Sequence, residues 1–141
     1  MENSLSLSTN ILDVLSPKNR IFVAFSGGLD STALLFLCNK ALIEKKIRNL
    51  KAIHINHNLS KNSDNWQQHC KNFCRSNNIE FESFKVEVSK DRSSIESQAR
   101  QARYKIFESL LDENDQILLA HHRDDVFETI LLRLFRGTGV D

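Results

Sequence analysis

One short stretch, IFVAFSGGLDSTALLFLC at residues 21–38, constrains the fold more than any other part of the chain. Its first five residues are continuously apolar, which is typical of a strand buried on both faces inside a parallel sheet. Two glycines then end the run, and Asp30, Ser31 and Thr32 are residues that favour a helix start. An apolar run at residues 33–38 continues this helix to about residue 46. The predicted order is therefore strand, glycine-rich turn, helix.

A glycine-rich turn that leads into a helix start is suited to binding an anion. Glycines let backbone N–H groups approach a ligand closely, and the helix start adds unpaired donors and partial positive charge. The hydroxyls of Ser26, Ser31 and Thr32 add further donors, so a phosphate is the expected guest. The turn matches neither GxxxxGK(S/T) nor GxGxxG. An ordinary βα turn with a capped helix is the alternative that the local residues leave open.

Asp30 is the unexpected residue of this turn. A carboxylate beside a bound phosphate would repel it. Either Asp30 only caps the helix, or a cation such as Mg²⁺ lies between the two groups.

Further strands and helices are predicted along the rest of the chain. The strands cover residues 50–57, 80–88 and 116–120, and the helices cover about residues 11–15, 64–76, 93–110 and 124–135. The third strand alternates apolar and polar residues, which favours an edge position. The alternation of strands with helices along the chain predicts an α/β fold. Its parallel, Rossmann-like sheet would have the strand order 3-2-1-4, with helices on both faces.

The composition is that of one soluble domain. The chain has 141 residues, 40% of them hydrophobic and 26% charged, which suffices for one core but not for two. No apolar run approaches a membrane span, and residues 1–16 lack a secretory pattern, so we expect a cytoplasmic protein without a membrane partner. The net charge of +1 neither requires nor excludes a nucleic-acid partner.

The helix at residues 64–76 is expected to turn Trp66, Cys70, Phe73 and Cys74 inward. Cys70 and Cys74 lie on one helix face with His69 beside them, which permits a metal site. Burial as small side chains is the simpler interpretation of these two cysteines.

Polar clusters follow the second strand, at Asn56, His57 and Asn58, and the fourth, at residues 121–125. The first of these clusters lies at the same edge of the sheet as the glycine-rich turn, so its side chains can line a ligand crevice there. In the order 3-2-1-4 the switch point lies between strands one and four, so residues 26–32 and 121–125 should face each other. His122, Asp125 and Glu128 would share one helical face in this crevice. They could ligate Mg²⁺ and move a proton, or the acidic residues could merely cap the helix.

The helix at residues 93–110 carries two arginines whose role is open. Its predicted buried stripe leaves Arg100 and Arg103, with Glu96, on the opposite face. The two guanidinium groups could clamp a triphosphate, or they could simply be solvated. The stripe consists of Ile95, Ala99, Ala102, Ile106 and Leu110.

Four motifs in order along the chain resemble those of one family. SGGLDS at residues 26–31 resembles the SGGxDS signature of the PP-loop ATP pyrophosphatases, which cleave ATP between the α and β phosphates. Together with IHINHNLS at residues 53–60, IESQARQARY at residues 95–104 and AHHRDDVFET through LRLFRGTG at residues 120–139, it resembles the tRNA(Ile)-lysidine synthetase family. The likeness covers residues 20–139.

The resemblance implies an adenine nucleotide alpha hydrolase-like version of the predicted fold and a two-step ligase reaction. ATP with Mg²⁺ would adenylate the C2 carbonyl oxygen of the wobble cytidine in tRNA(Ile) with a CAU anticodon. The amine of free lysine would then attack C2 and displace AMP, which forms lysidine.

The resemblance also implies residue roles. The ATP-binding residues would be Ala24, Ser26, Gly27, Gly28, Leu29, Asp30, Ser31, Thr32, Ile53 and His54. The catalytic residues would be Asp30, Arg100, Arg103, His122 and Asp125, and two of them, Asp30 and Asp125, would hold Mg²⁺. His121 is the alternative to His122.

Members of this family are longer than the present chain. We therefore expect residues 1–20 to be an N-terminal extension and residues 21–141 to be a PP-loop ATP-binding catalytic domain, truncated before the tRNA-binding domains. An unprotected fourth strand would agree with a missing part, and its edge would allow a homodimer. Two alternatives remain. One is a PP-loop tRNA thiolase, which the absence of a CxxC pair disfavours; the other is a truncated ATP-binding module without turnover.

Overall fold

The computed structural model describes residues 15, 18–88, 95–123 and 126–133, and for residues 121–133 it describes the strands without their side chains. Five strands and three helices lie in these ranges. In chain order they are β1 (Ile21–Ala24), α1 (Leu29–Ile43), β2 (Lys51–Asn56), α2 (Ser63–Ser76), β3 (Glu80–Lys85), α3 (Ile95–Leu110), β4 (Gln116–Arg123) and β5 (Val126–Arg133).

The strands form one sheet in the order β3-β2-β1-β4-β5. The first four are parallel, which confirms the predicted order 3-2-1-4 and the edge position of β3. At the centre, Val23 of β1 pairs with Ala52 of β2 on one side and with Leu118 of β4 on the other. The carboxyl ends of β1, β2 and β4 therefore meet at one edge of the sheet.

Helices cover both faces of the sheet, as the continuous apolar run of β1 predicted. Ile21 and Val23 pack into a cluster with residues of α1 and α2, and the intervening Phe22 packs on the other face against Phe107 of α3. Successive strand side chains point to opposite faces, so a strand that is apolar at every position needs cover on both.

The last predicted helix, over residues 124–135, is wrong. Residues 126–133 form β5, which pairs antiparallel with β4 from Gln116↔Arg133 to Arg123↔Val126. β4 is also longer than predicted and extends through residues 121–123. Val, Phe, Thr and Ile make up half of β5 and favour strands, and the pairing satisfies the backbone groups on the outer edge of β4.

Two further predictions depended on the helix at residues 124–135 and are wrong with it. His122 lies on β4 and Glu128 on β5, so these residues do not share a helical face with Asp125, which lies outside the described residues. The outer edge of β4 is covered by the chain's own β5. An unprotected β4 edge therefore supports neither a missing part of the chain nor a homodimer.

The face that α3 turns to the sheet also differs from the predicted one. The five residues of the predicted stripe are half-buried, whereas Phe107 is fully buried. Arg103 precedes Phe107 by four residues and so lies on the same side of the helix. The expectation that Arg103 belongs to the opposite, solvated face is wrong, because Phe107 rather than Ile106 anchors the helix.

Most of the predicted N-terminal helix, residues 11–14, lies outside the described residues, whereas Leu15 is buried in the core. None of the described helices is both long enough and apolar enough to cross a membrane.

Candidate functional site

A cavity of about 530 Å³ lies at the carboxyl ends of β1, β2 and β4, the edge of the sheet where the sequence predicted a ligand crevice. Its size suits a small organic ligand. Side chains from the β1–α1 turn, β2 and the loop after it, α2, α3 and β4 form its walls. They are Ala24, Phe25, Ser26, Ser31, Ile53, His54, Ile55, Asn56, His57, Leu59, Ser63, Trp66, Arg103, Phe107, Leu119 and Ala120.

The β1–α1 turn directs its backbone N–H groups towards hydroxyl oxygens within the turn. The N–H groups of Ser26 and Gly27 both donate to Ser31 Oγ at 3.1 Å, and that of Gly28 donates to Ser26 Oγ at 3.2 Å. The two hydroxyl oxygens are 2.9 Å apart. Consecutive N–H groups that converge on one oxygen form the backbone concavity in which proteins bind anions.

Helix α1 starts at this turn without a side-chain cap. Gly28 is its N-cap residue, and the Thr32 hydroxyl donates to the Gly28 carbonyl oxygen at 2.7 Å. Asp30 is half-buried in the first helical turn, where its charge complements the helix dipole. Of the two roles considered for Asp30, side-chain capping is thus not seen, and its carboxylate belongs to the helical turn that follows the N–H groups of residues 26–28.

Helix α2 packs closely against the same turn. Trp66 Nε1 donates to the Ser26 carbonyl oxygen at 2.7 Å, and Cys70 Sγ lies 3.7 Å from that oxygen. Gly27 has φ +88°, and a Cβ atom there would lie 2.6 Å from Cys70 Sγ and 3.0 Å from the Trp66 ring. Only glycine fits this position, because any side chain would be strained in both conformation and space.

Trp66 is 46% exposed, so its predicted inward position is wrong, whereas Cys70 and Cys74 are fully buried as predicted. Trp66 bridges the turn and the helix instead of filling the core. Phe73 is half-buried and packs against the core cluster.

His54 is a buried residue of the cavity wall. Its Nδ1 lies 2.9 Å from the Phe25 carbonyl oxygen, and its ring stacks on Phe81. A carbonyl oxygen only accepts, so Nδ1 carries the proton and Nε2 is the free acceptor. Burial lowers the pKa of His54, more than the carbonyl contact raises it, which keeps the ring neutral near pH 7.

His57 and Arg103 contribute polar atoms that lack partners. His57 Nδ1 and Arg103 Nε are buried and have no hydrogen-bond partner among the described residues. Burial lowers the pKa of His57, and the positive charge of Arg103 and nearby His54 lower it further. A ligand with acceptor atoms at this wall would satisfy Arg103, since buried polar groups are almost always hydrogen-bonded.

The structure separates the two candidate arginines. Arg103 lines the cavity, whereas Arg100 is exposed, with its guanidinium 5.8 Å from the ring centre of Tyr104. Sequence reasoning treated the two as equivalent because both belong to one motif.

The predicted ATP-binding residues all lie at or next to the cavity. Ala24, Ser26, Ser31, Ile53 and His54 line it. Gly27, Gly28, Leu29, Asp30 and Thr32 form the turn and the first helical turn, where Leu29 points to solvent and is 86% exposed. His121 and His122 lie on β4 beyond the cavity-lining Ala120.

Sequence reasoning missed several lining residues. Phe107 and Leu119 are ordinary core residues by pattern, so no local signal marks them. Asn56 and His57, by contrast, line the cavity as predicted for the polar cluster that follows the second strand. Asn56 is buried and donates to Asp64 Oδ1 at 3.0 Å and Gln67 Oε1 at 2.9 Å, which fixes the start of α2 over the end of β2.

The cysteines do not form a metal centre. Cys38, Cys70 and Cys74 are free and buried, and burial raises the pKa of Cys70 to about 11 and those of the other two to about 12. Among the residues with described side chains, no cluster of three or more His, Cys, Asp or Glu residues could hold a metal ion.

Curated relatives of the chain are tRNA(Ile)-lysidine synthases. The chain is 50% identical over 123 residues to the tRNA(Ile)-lysidine synthase of Legionella pneumophila strain Lens. This match covers 86% of the chain and 28% of the relative. The enzyme of Pseudomonas syringae pv. tomato is 42% identical over 141 residues, 98% of the chain and 32% of the relative. The enzyme of Edwardsiella ictaluri is 39% identical, and the match covers 97% of the chain and 31% of the relative. The chain thus spans about a third of the length of these relatives.

A solved structure has a similar fold. It is the U34-tRNA thiolase of Methanococcus maripaludis with its 4Fe-4S cluster, with a TM-score of 0.64, 22% sequence identity, and coverage of 88% of this chain and 47% of that one. At this identity the likeness concerns the fold alone. The family model of the PP-loop domain matches residues 2–141. The SGGLDS turn, the parallel sheet that positions it and this match together show that the chain belongs to the PP-loop domain family.

Proposed function

We propose that this chain carries the ATP-binding and adenylating site of a tRNA(Ile)-lysidine synthetase-like ligase, which forms a carbon–nitrogen bond. The observation that carries the proposal is the convergence of the Ser26 and Gly27 N–H groups on one oxygen position. The cavity beside them also holds Arg103 Nε, which has no hydrogen-bond partner within the described part of the chain. The identity of up to 50% to tRNA(Ile)-lysidine synthases supports the choice of reaction.

The turn would bind the β and γ phosphates of ATP. In the free protein the donors of Ser26 and Gly27 are held by Ser31 Oγ. A phosphate oxygen would take over these donors, and a rotated Ser31 hydroxyl would add another. The donors already point to one place, so binding requires little rearrangement of the backbone.

The apolar walls of the cavity suit the adenosine part of ATP. Ala24, Ile53 and Leu119 lie on three adjacent strands beside the turn. His54 adds a polar edge with a free acceptor nitrogen. A mostly apolar pocket with a few fixed polar groups is the usual form of a small-molecule site.

Arg103 would neutralise charge at the reacting α-phosphate and the departing pyrophosphate. Its Nε is buried and has no partner among the residues that the structure describes, so a phosphate would supply an acceptor for it. Fixed cationic donors act most strongly where charge develops in the transition state. We assign Arg100 and His122 supporting roles in the same step, as the resemblance implies.

Asp30 fits a cation better than it fits a phosphate. Its carboxylate lies in the first turn of α1, beside the donors of the turn. Mg²⁺ binds oxygen ligands, commonly one or two carboxylates together with substrate phosphates, and reduces the repulsion between them. We propose that Asp30 and Asp125 hold this ion.

The reaction would then proceed in two steps. The C2 carbonyl oxygen of the wobble cytidine attacks the α phosphorus of ATP and pyrophosphate leaves. The amine of free lysine attacks C2, loses a proton, and AMP leaves with the former carbonyl oxygen. The partners would be tRNA(Ile) with a CAU anticodon and free lysine, in the cytoplasm.

Pyrophosphate release tests this reaction. The protein is incubated with ATP, Mg²⁺, unmodified tRNA(Ile) and lysine, and each component is left out in turn. The proposal predicts that release requires the tRNA, and that AMP appears only when lysine is added. Stimulation by a sulfur donor in place of lysine would favour a thiolase, and ATP binding without any release would favour a binding module. Either result would contradict the ligase assignment for this chain.

A further inference from the structure

We propose that Trp66 is a positioning residue that sets the direction of the Gly27 N–H, the central donor of the phosphate-binding turn. The inference rests on the proposed function of that turn. The inference adds to the site a residue of α2, outside the turn. Neither the SGGLDS motif nor the rest of the turn's sequence predicts this residue.

The bond geometry leads to this role. The Ser26 carbonyl oxygen accepts from Trp66 Nε1 at 2.7 Å, and Cys70 Sγ lies 3.7 Å away on the same helix. In a planar trans peptide the C=O of one residue and the N–H of the next point in opposite directions. Fixing the Ser26 carbonyl on α2 therefore aims the Gly27 N–H away from α2, where it meets Ser31 Oγ at 3.1 Å.

A glycine needs such a support more than other residues do. Gly27, at φ +88°, has no side chain to restrict its backbone, and its peptide could rotate at little cost. The Trp66 ring and Cys70 Sγ occupy the space where a Cβ would lie. They replace the missing side chain as the packing that holds this peptide plane.

Helix α2 is itself firmly attached, so it can act as a support. Cys70 and Cys74 are buried in the core, and Asn56 at the end of β2 holds Asp64 and Gln67 near the helix start. Trp66 lies four residues before Cys70 and so on the same helix face.

The test separates phosphate binding from general stability. Trp66→Phe keeps an aromatic ring but removes the N–H donor. The matched control is His69→Leu. The His69 ring stacks on the Trp66 ring, with 4.8 Å between the ring centres, whereas the hydrogen bond to the Ser26 carbonyl oxygen comes from Trp66 Nε1. Calorimetry measures the affinity of each protein for inorganic pyrophosphate and for adenosine, and thermal unfolding checks that each variant is folded.

We expect Trp66→Phe to weaken pyrophosphate binding roughly three- to tenfold, the effect of one solvent-exposed hydrogen bond, with adenosine affinity unchanged. His69→Leu should change both affinities less than about twofold. Unchanged pyrophosphate binding in Trp66→Phe, or an equal loss for both ligands, would overturn the positioning role. Failure of the wild-type chain to bind pyrophosphate would instead overturn the proposed function, and this inference with it.

Discussion

The two walls of the cavity differ in how their polar groups are bonded. One is the loop wall, the turn at residues 26–32, of which Ser26 and Ser31 line the cavity. In it the backbone N–H groups of Ser26, Gly27 and Gly28 all donate to hydroxyl oxygens of the same turn. The other is the arginine wall, His57 and Arg103, where Nδ1 and Nε are buried without partners among the described residues.

The difference shows which wall is complete before a ligand binds. The loop wall holds its N–H donors in place through internal hydrogen bonds, so no free energy is needed to orient them when a ligand binds. Each unpartnered buried group of the arginine wall costs about 1–3 kcal/mol of the free energy of folding. A phosphate ligand would remove this cost. Variants of the loop wall should therefore affect both folding and binding, and variants of the arginine wall mainly binding.

The largest effect is expected from Gly27→Ala. A Cβ atom at φ +88° and 2.6 Å from Cys70 Sγ should lower the free energy of unfolding by roughly 2–4 kcal/mol and abolish ATP binding. Gly28→Ala is the control. Gly28 has φ −73°, and of the described atoms a Cβ there would meet only Ser26 Oγ, at 3.5 Å. Urea unfolding and ATP titration measure the pair. A Gly27→Ala chain with the unfolding free energy and ATP affinity of the wild type would show that the turn does not depend on Gly27.

Asn56→Ala should have the next largest effect. The change removes one hydrogen bond from each of Asp64, Gln67 and the Asn58 N–H. This loss should lower the free energy of unfolding by about 1–3 kcal/mol. In Asn72→Ala, which loses one exposed bond to Gln68 on α2, less than about 0.5 kcal/mol is expected. A Tm for Asn56→Ala equal to that of the control would mean that α2 is not held by β2.

Arg103→Met should separate binding from stability. ATP affinity is expected to fall roughly tenfold, about 1.4 kcal/mol, while Tm stays the same or rises because an unpartnered buried Nε is removed. Arg100→Met should lower ATP affinity by less than Arg103→Met does, because Arg100 is exposed whereas Arg103 lines the cavity. A larger loss of affinity in Arg100→Met than in Arg103→Met would reverse the assignment.

The smallest effect is a pH dependence that comes from His54 and His57. Burial lowers the pKa of both below the ordinary 6.5, so the unfolded chain binds more protons as the pH falls below that value. Their contribution to stability is complete above pH 6.5 and is lost as the pH falls towards their folded-state pKa values. Urea unfolding between pH 7.5 and 5 should show a decrease that is smaller in His57→Gln. An increase in stability over this range would contradict the burial of these rings.

The centre of the fold could be predicted from the sequence because its signals are local. The apolar run of β1 requires cover on both faces, and the alternation in β3 predicts an edge strand, so the order of the four parallel strands followed. The SGGLDS turn marked the cavity in the same way, because its glycines and hydroxyls have a recognisable spacing.

β5 could not be predicted in this way. Its residues suit either a helix or a strand by local pattern, and what decides between them is the unpaired edge of β4, formed by a separate stretch of chain. The same error placed His122 at a helix start, whereas it lies within β4.

Trp66 was misjudged for a related reason. An aromatic residue four positions before a buried cysteine has the pattern of a core residue. Its actual position depends on the turn at residues 26–27. The Ser26 carbonyl oxygen, forty residues away in sequence, accepts the Trp66 hydrogen bond, and the missing side chain of Gly27 leaves space for the ring. Arg103 and Arg100 likewise differ only through the packing of Phe107.

Calorimetric titration of the chain with ATP and Mg²⁺ tests the central claim, that the loop wall binds the phosphates of a nucleotide. The wild-type chain and Asp30→Ala are compared, with Glu44→Ala, a carboxylate just beyond the far end of α1, as the control. The account predicts binding by the wild-type and Glu44→Ala chains and its loss in Asp30→Ala. Absence of ATP binding in the wild-type chain, or undiminished binding in Asp30→Ala, would contradict it.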